Sequence, residues 1–275
     1  MIRYVRGNAG YDRMSGTVKR VDGFRETRNK LLGALPGNEL AALLQNAEKV
    51  VIRPRQVLHH WRLPMDYVYF IERGLVSVSA RVDDDDFVEA WLVGSEGLVG
   101  SPLVLVDEGQ PTPHRRIVQI GGEAVRIPAR DFVTILPTLP FTRRLLQRYV
   151  QAVLFQTSQF GACNAAHTVR ERLVRWLLVA RDSIESDDLP ITHEVLSQLL
   201  GVRRATVTQV VEALYREGLI RTARGLITVV DAAALQEVSC ACYGLVRREY
   251  QRQIQSTADT ERGHSGWIGA SVASR

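Results

Sequence analysis

Hydrophobic positions change their spacing twice along the chain. Between residues 28 and 45, leucines recur at helical intervals, which predicts a short amphipathic helix pair. Short runs rich in β-branched and aromatic residues follow, separated by Pro, Gly or Asp, and such runs predict β-strands. Strands at these short intervals are typical of a sandwich or a barrel-like roll. The runs are EKVVI, QVLHHW, YVYFIERGLVSVSA, FVEAWLV, RRIVQI and EAVRI.

Near Pro140 the spacing becomes that of long helices. A stripe with intervals of 4, 3, 4, 3 and 4 runs along FTRRLLQRYVQAVLFQTSQFGACN, and HTVRERLVRWLLVARD continues as a second helix. A heptad-like stripe is typical of the seam between two helices, so it predicts a dimer interface. The alternative is one helix that packs only within its own domain. The stripe consists of Leu146, Val150, Val153, Thr157, Phe160 and Asn164.

The stretch from Ile191 to Val230 predicts two helices, a turn and a β-hairpin. Thr192 is a typical N-cap for the first helix. Gly201 stands where the chain must turn sharply, because glycine accepts positive φ, and Gly218 closes the second helix. The sequence LIRTARGLITVV then predicts strand, turn and strand. This succession predicts a winged helix-turn-helix.

The N-terminal half of the second helix is polar on its exposed side. In helix-turn-helix proteins these residues meet base edges in the major groove, where Arg bonds guanine and Gln bonds adenine. Hydroxyls and hairpin arginines would bind phosphates. The alternative is a sensor or interaction module whose C-terminal helices bind a protein partner. The DNA contacts that the pattern predicts are Thr192, Arg203, Arg204, Thr206, Thr208, Gln209, Arg221 and Arg224.

The charge of the whole chain suits a polyanionic partner, but the charge of the predicted DNA-binding region is balanced. The chain has a net charge of +5 and a pI near 9.3. Residues 167–238 carry 9 Arg against 10 Asp or Glu, so local positive charge must steer DNA binding. The basic residues 1–25 predict a flexible arm. Neither a signal-like N-terminus nor a run of eighteen apolar residues is present, which predicts a soluble cytoplasmic protein with no membrane partner.

Candidate reactive and metal-binding residues are few. Cys163, Cys240 and Cys242 form no disulfide framework, and a four-ligand zinc site would require histidines to join them. Cys240 and Cys242 are candidates for a thiol switch or a partial metal site, but inert packed thiols are the favoured interpretation, so no metal site and no cofactor are predicted. The run Asp83 to Asp86 lacks the alternate spacing of a calcium loop and predicts a solvated hairpin tip. The common nucleophile, zinc and phosphate-loop motifs are missing, so we expect no enzyme.

The order of these elements resembles the CRP/FNR superfamily of transcription regulators, which are homodimers with a cyclic-nucleotide-binding-type jelly roll as sensor. The segments VGSEGLVGSPLVL and ITHEVLSQLLGVRRATVTQVVEALYREGLI carry the resemblance, which spans roughly residues 28–250. It implies an α+β fold that reads a palindromic operator in double-stranded DNA, and it allows RNA polymerase as a partner. It places Arg203, Arg204, Ala205 and Gln209 at base-facing positions. The implied domains are a roll over 26–140, a dimerisation helix and hinge over 141–166, a winged helix-turn-helix over 167–238 and a helical extension with a flexible tail over 239–275.

The sensor part departs from the family members that bind cyclic AMP. Their phosphate-binding cassette has a Glu just after a Gly and, further on, an adjacent Arg and Ser or Thr. Here Ser101 and Pro102 follow Gly100, and Thr112 and Pro113 stand near the later pair, so ordinary cyclic AMP recognition is not expected. The candidate residues for an unnamed small-molecule effector are Glu96, Gly97, Gly100, Ser101, Arg115 and Arg116.

Two other sensing chemistries are less favoured. An iron-sulfur cluster needs four ligands, and no cysteine precedes Cys163. Haem would need an axial ligand such as His59, His60 or His114. We therefore expect an effector or a redox state, sensed by the roll, to shift the DNA-binding domain across the hinge at residues 163–168.

Overall fold

The N-terminal part of the protein is built on one antiparallel sheet. The structure, a computed structural model, describes residues 19–20, 27–83, 87–105 and 109–264. Within them the sheet order is β1-β2-β7-β4-β5, with β3 beside β7 and β6 beside β4. The strands are β1 (Lys19–Arg20), β2 (Glu48–Ile52), β3 (Val57–His59), β4 (Tyr67–Arg81), β5 (Phe87–Val93), β6 (Leu98–Val99) and β7 (His114–Pro128). The predicted roll of β-strands is confirmed.

Strands β4 and β7 pair along almost their whole length, and the register shifts around their centre. Gly74 in β4 has a φ of 103°, and a Cβ atom there would lie 2.6 Å from the carbonyl oxygen of Ile120. A Cβ atom on Gly122 in β7 would lie 2.1 Å from the carbonyl oxygen of Arg73. Both positions therefore require glycine, and the bulges they permit bend the long ribbon so that the sheet can curl.

Helices surround the sheet and continue the chain beyond it. The predicted helix pair is present as α1 and α2, and the long helix begins at Pro140, where the change of period predicts it. The helices are α1 (Lys30–Gly33), α2 (Gly37–Leu43), α3 (Ala129–Ile135), α4 (Pro140–Ala166), α5 (Val169–Ile184), α6 (His193–Leu200), α7 (Arg204–Arg216), α8 (Ala232–Glu237) and α9 (Cys242–His264). No helix among these described residues is long and apolar enough to cross a membrane.

The winged domain follows a sharp break after α4. Thr168 accepts a hydrogen bond from the Glu171 amide, and the Glu171 side chain bonds back to Thr168, so a capping box starts α5. Helices α6 and α7 come next, and a small antiparallel sheet completes the domain in the order β8-β10-β9. Its strands are β8 (Asp188–Leu189), β9 (Ile220–Ala223) and β10 (Leu226–Val229).

The predicted dimer stripe on α4 is largely buried inside one protomer, which corrects its assignment as a seam. Helix α9 packs along α4, where the Tyr250 hydroxyl donates to Gln156 Oε1 at 2.8 Å and the ring of Tyr250 contacts that of Tyr149. Thr157 is half-buried and Asn164 is exposed. The residues of the stripe that lie in the common core of the roll, α4 and α9 are Leu146, Val150, Val153 and Phe160.

Some predicted segments lie outside the described residues. The predicted arm at residues 1–25 is described only at Lys19–Arg20, whose backbone pairs with β2. Of the predicted acidic tip, only Asp83 is described. The tail beyond His264 is also outside the described part of the chain.

The roll and the winged domain share an apolar contact. Leu75, Leu92 and Ile120 of the sheet belong to the same buried cluster as Leu173 and Trp176 of α5. The winged domain is thus packed directly on the sheet in addition to being linked to it through α4.

Candidate nucleic-acid interface

The helix-turn-helix is formed by local sequence signals that act where the pattern predicts them. The Thr192 hydroxyl accepts a hydrogen bond from the Val195 amide and caps α6. Gly201 ends α6 with a φ of 64°, which is the left-handed conformation that glycine adopts at least cost. Gly218, with a φ of 76°, follows α7. Thr192 and Gly201 thus set where α6 begins and ends, and Gly218 marks the turn after α7.

One face of α7 is held by the core, and the other is exposed. Val207, Val211 and Leu214 are buried in the core of the winged domain. On the opposite side, four predicted base-facing residues are exposed around the helix N-terminus: Arg203, Arg204, Ala205 and Gln209. The burial pattern therefore orients this set toward solvent as one surface, which we call the recognition face.

The charge on the recognition face is partly balanced by α6. Arg204 Nε lies 3.9 Å from Glu194 Oε2, and both side chains are more than half exposed. A contact this long between exposed groups contributes little to stability. Arg203 stands at the N-cap position of α7 in an extended conformation, with φ and ψ of −66° and 142°. Both guanidinium groups can therefore move to a base edge or a phosphate with little loss of folding energy.

The three predicted threonine contacts differ in their surroundings. Thr208 is half-buried, and its hydroxyl lies 3.1 Å from His193 Nδ1, so it links α6 to α7 instead of joining the recognition face. The Thr192 hydroxyl serves as the N-cap, although the residue is exposed. Thr206 is half-buried on the first turn of α7. Arg221 on β9 and Arg224 at the tip of the wing are both exposed.

The predicted effector residues differ in their surroundings. Arg116 is 1% exposed, and its Nη1 donates to Thr112 Oγ1 at 2.6 Å and to the His114 carbonyl oxygen at 3.3 Å. Its Nη2 is buried without a hydrogen-bond partner among the described residues. Burial lowers the pKa of Arg116 to about 10, so the group is still charged at neutral pH. Arg115, on the opposite face of the strand, stacks over the Phe87 ring at 3.9 Å.

Glu96, the acidic residue among the effector candidates, faces α5 of the winged domain. Glu96 Oε1 accepts from the Gly94 amide at 2.8 Å, and Glu96 Oε2 accepts from Ser183 of α5 at 3.4 Å. Burial raises the pKa of this carboxyl. Glu96 also lines a cavity of about 690 Å³ that α5 and α9 border as well. It therefore contacts the winged domain and not Arg116.

The remaining effector candidates pack tightly. A Cβ atom on Gly97 would lie 2.5 Å from the Tyr149 hydroxyl, so Gly97 permits the close approach of α4. Gly100 has a φ of 111° and starts the 3₁₀ turn Ser101–Val104, in which Ser101 is buried. Gly97, Gly100 and Ser101 therefore shape the segments on either side of β6, which pack against α4.

The histidines that could have held haem have other contacts. His59 Nε2 lies 2.7 Å from the Tyr67 carbonyl oxygen. Burial, with the nearby Arg116 charge, lowers the pKa of His59 to about 3. His114 makes an edge contact with Trp91, and His60 is exposed on the surface.

A contact between the roll and the winged domain was not apparent from the sequence. Trp176 Nε1 on α5 donates to Glu89 Oε2 on β5 at 3.3 Å. Burial raises the pKa of Glu89 to about 7, while the Trp176 hydrogen bond and the Arg175 charge act in the opposite direction. Alternation along FVEAWLV would place Glu89 and Trp91 on one face of the strand, but the register shift between them turns Glu89 toward α5 and Trp91 into the core of the roll.

Comparison with known proteins agrees with this geometry. Residues 171–238 match the family model of the Crp-like helix-turn-helix domain. A transcriptional regulator of the CRP/FNR family from Thermus thermophilus superposes with a TM-score of 0.53 at 22% identity, covering 70% of this chain and 98% of that one. The chain carries a Crp-like helix-turn-helix domain and shares its fold with CRP/FNR-family transcription regulators.

Two curated relatives match more than half of this chain. The global nitrogen regulator of Synechocystis is 22% identical over 182 residues, which are 63% of this chain and 80% of the relative. The cyclic AMP receptor protein of Thermus thermophilus is 26% identical over 152 residues, which are 54% of this chain and 68% of the relative. The relatives are transcription regulators and not enzymes.

Proposed function

We propose that this CRP/FNR-type regulator binds an operator in double-stranded DNA as a homodimer, with α7 of each protomer in the major groove. The observation that carries the proposal is the recognition face, where Arg203, Arg204 and Gln209 are exposed together at the N-terminus of a helix whose other side is buried. Arginine and glutamine can read guanine and adenine edges from this position.

The wing supplies the second part of the proposed interface. Arg221 and Arg224 are exposed on the hairpin that follows α7, and exposed arginines beside a recognition helix are suited to phosphate contacts. Phosphate contacts would position the domain without selecting sequence, so Arg203, Arg204 and Gln209 would carry the specificity. RNA polymerase is a further proposed partner, to be considered once an operator is known.

Alanine substitution at the recognition face tests this proposal. An operator is first selected from a random duplex pool by the wild-type protein. We expect Arg203→Ala and Arg204→Ala each to weaken binding by about 5- to 150-fold, corresponding to about 1 to 3 kcal/mol per lost base contact, in fluorescence anisotropy at fixed salt.

Arg216→Ala is the matched control, because Arg216 is exposed on the same helix at its opposite end. It should keep most of the affinity. Wild-type affinity and selectivity in both Arg203→Ala and Arg204→Ala would show that α7 does not read bases. Weak binding by the wild-type protein that depends little on sequence would favour the alternative, a protein-binding module.

For the dimer, we propose the solvent-exposed face of α4 in place of the buried stripe. Leu154 is 66% exposed in the middle of this face, and Gly161 leaves open space where a second helix could approach. The exposed positions recur at intervals of 4, 3, 4, 3 and 4, which is the spacing of a helix seam, and Leu154 is the large apolar residue among them. They are Gln147, Gln151, Leu154, Ser158, Gly161 and Ala165.

A charge in this seam should separate the protomers. We expect wild-type protein to sediment as a dimer at micromolar concentration and Leu154→Arg to sediment as a monomer, because an arginine at the centre of this helix contact must be desolvated. Val51→Arg, at a position 64% exposed on β2, is the control and should leave the dimer intact. A Leu154→Arg dimer of wild-type strength would exclude this face.

A further inference from the structure

Four potential metal ligands converge where α4 meets the winged domain and α9. Cys163 and His167 stand one helical turn apart at the C-terminal end of α4. Cys242 is the first residue of α9, and Cys240 stands two positions before it. The Sγ atoms of the three cysteines and a ring nitrogen of His167 all lie within 4.8 Å of one another. Residues distant in sequence thus form one compact group, which we call the hinge cluster.

The spacing of the hinge cluster is close to that of a tetrahedral zinc site. Cys163 Sγ and Cys240 Sγ are 3.6 Å apart, and Cys242 Sγ and His167 Nδ1 are 3.7 Å apart. With Zn–S bonds of about 2.3 Å and a Zn–N bond of about 2.0 Å, tetrahedral geometry requires about 3.8 Å between sulfurs and about 3.5 Å between sulfur and nitrogen. The other pairs of ligand atoms are at most 4.8 Å apart. Side-chain rotations that move these atoms by about 1 Å or less would bring them to the tetrahedral distances.

The surroundings of the hinge cluster suit a metal that binds thiolates. All three cysteines are buried. Gln159 Nε2 donates to Cys242 Sγ at 3.2 Å, as an outer-shell group does to a metal-bound sulfur. The chain therefore supplies both the ligands and a group that orients one of them.

A buried positive charge lies beside the hinge cluster. Arg175 is 4% exposed, its guanidinium stacks over the Phe160 ring at 3.7 Å, and its charge lies within electrostatic range of Cys163. Its Nε and Nη1 atoms are buried without hydrogen-bond partners among the described residues. Three thiolates, a neutral imidazole and Zn²⁺ sum to a charge of −1, which would compensate the buried guanidinium.

We propose that Cys163, His167, Cys240 and Cys242 form a structural Zn²⁺ site that fastens the end of α4 to the start of α9. Four protein ligands leave no open coordination position, which is the arrangement of structural and not catalytic zinc. Thiolate and imidazole ligands disfavour Mg²⁺ and Ca²⁺, which prefer oxygen.

A disulfide accounts for the hinge cluster less well. A bond between Cys163 and Cys240 would require their sulfurs to approach from 3.6 Å to about 2.05 Å. It would leave Cys242 and His167 with no role.

Zinc in this position would fix the direction of the winged domain. His167 immediately precedes Thr168, which caps α5, so a metal bound by His167 restrains the exit from α4. We expect zinc removal to loosen this junction and to weaken operator binding about tenfold, within the usual range of coupling between two sites. This consequence rests on the proposed function, whereas metal binding itself does not.

Metal analysis of the full-length protein, prepared without a metal-binding tag, tests the site directly. We expect one zinc per chain by mass spectrometry of the metal. Replacement by Co²⁺ should give sulfur-to-cobalt charge-transfer absorption and the intense visible bands of tetrahedral cobalt. His167→Gln and Cys242→Ser should lower the zinc content strongly. His60→Gln carries the same substitution at an exposed histidine outside the hinge cluster and should keep full zinc content.

Two further measurements separate the possible outcomes. Protein purified without oxygen, denatured with chelator and alkylated should show three free thiols; a single free thiol would identify a disulfide and overturn the proposal. Failure of the wild-type protein to take up zinc, together with no tetrahedral cobalt spectrum, would also overturn it. Full zinc content with DNA binding unchanged by chelation would keep the site and exclude its role at the hinge.

Discussion

Two joints hold the winged domain to the rest of the protein, and their chemistry differs. At one joint, Leu75 and Leu92 of the roll share a buried apolar cluster with Trp176 of α5. At the other, the hinge cluster of three thiols and His167 lies where α4 ends and α9 begins. The first joint depends on surface removed from water, and the second, as we propose it, depends on a metal.

This difference suggests a division of roles. Apolar burial does not depend on a bound metal, so the first joint keeps the winged domain against the roll whether or not metal is present. Metal binding changes with metal supply, so the second joint can respond to the environment. With two such joints, loss of metal from the hinge cluster would loosen the junction of α4 and α9, while the apolar cluster would keep the winged domain against the roll.

The largest effect should come from a cavity in the apolar joint. Leu92 is 1% exposed within the cluster that joins the roll to α5. We expect Leu92→Ala to lower the free energy of unfolding by about 2 to 5 kcal/mol in chemical denaturation, because the lost side chain leaves unfilled space. Loss of the joint should also separate the unfolding of the roll from that of the winged domain.

Leu63→Ala, at a position 50% exposed, is the control and should change the free energy of unfolding by little. A loss below about 1 kcal/mol for Leu92→Ala, with one coincident transition for both domains, would show that this apolar contact does not hold them together.

Sequence patterns predict the elements on either side of these joints well. The change of period at Pro140 locates the start of α4, and Thr192 and Gly201 mark the ends of α6. Such signals are local: a cap, a positive φ and an apolar period act within a few residues of one another. The recognition face of α7 could be predicted for the same reason.

Contacts between distant segments could not be predicted in this way. The stripe from Leu146 to Asn164 indicates a helix-helix contact, but the sequence does not say that α9 of the same chain would cover much of it. The hinge cluster shows the same limit. Cys163 and His167 share a helix face at an i, i+4 spacing, which is a usable signal, but their approach to Cys240 and Cys242 follows only from the packing of α9 on α4.

A smaller effect is expected from the titratable group at the apolar joint. Trp176 donates to Glu89 across it, and burial raises the pKa of Glu89 from 4.5 to about 7. The folded, docked protein therefore holds this proton more tightly than the unfolded chain does. Between about pH 4.5 and pH 7, the folded state consequently loses stability as the pH rises.

Glu89→Gln should remove this contribution, because the amide oxygen can still accept from the Trp176 indole but carries no proton that is lost with rising pH. Thermal unfolding of wild type and variant from about pH 5 to about pH 8 should give a difference that grows in favour of the variant as the pH rises. Glu237→Gln, at an exposed position on α8, should follow the wild-type curve. Parallel curves for wild type and Glu89→Gln would mean that the Glu89 carboxyl reaches solvent and that its protonation does not affect the joint.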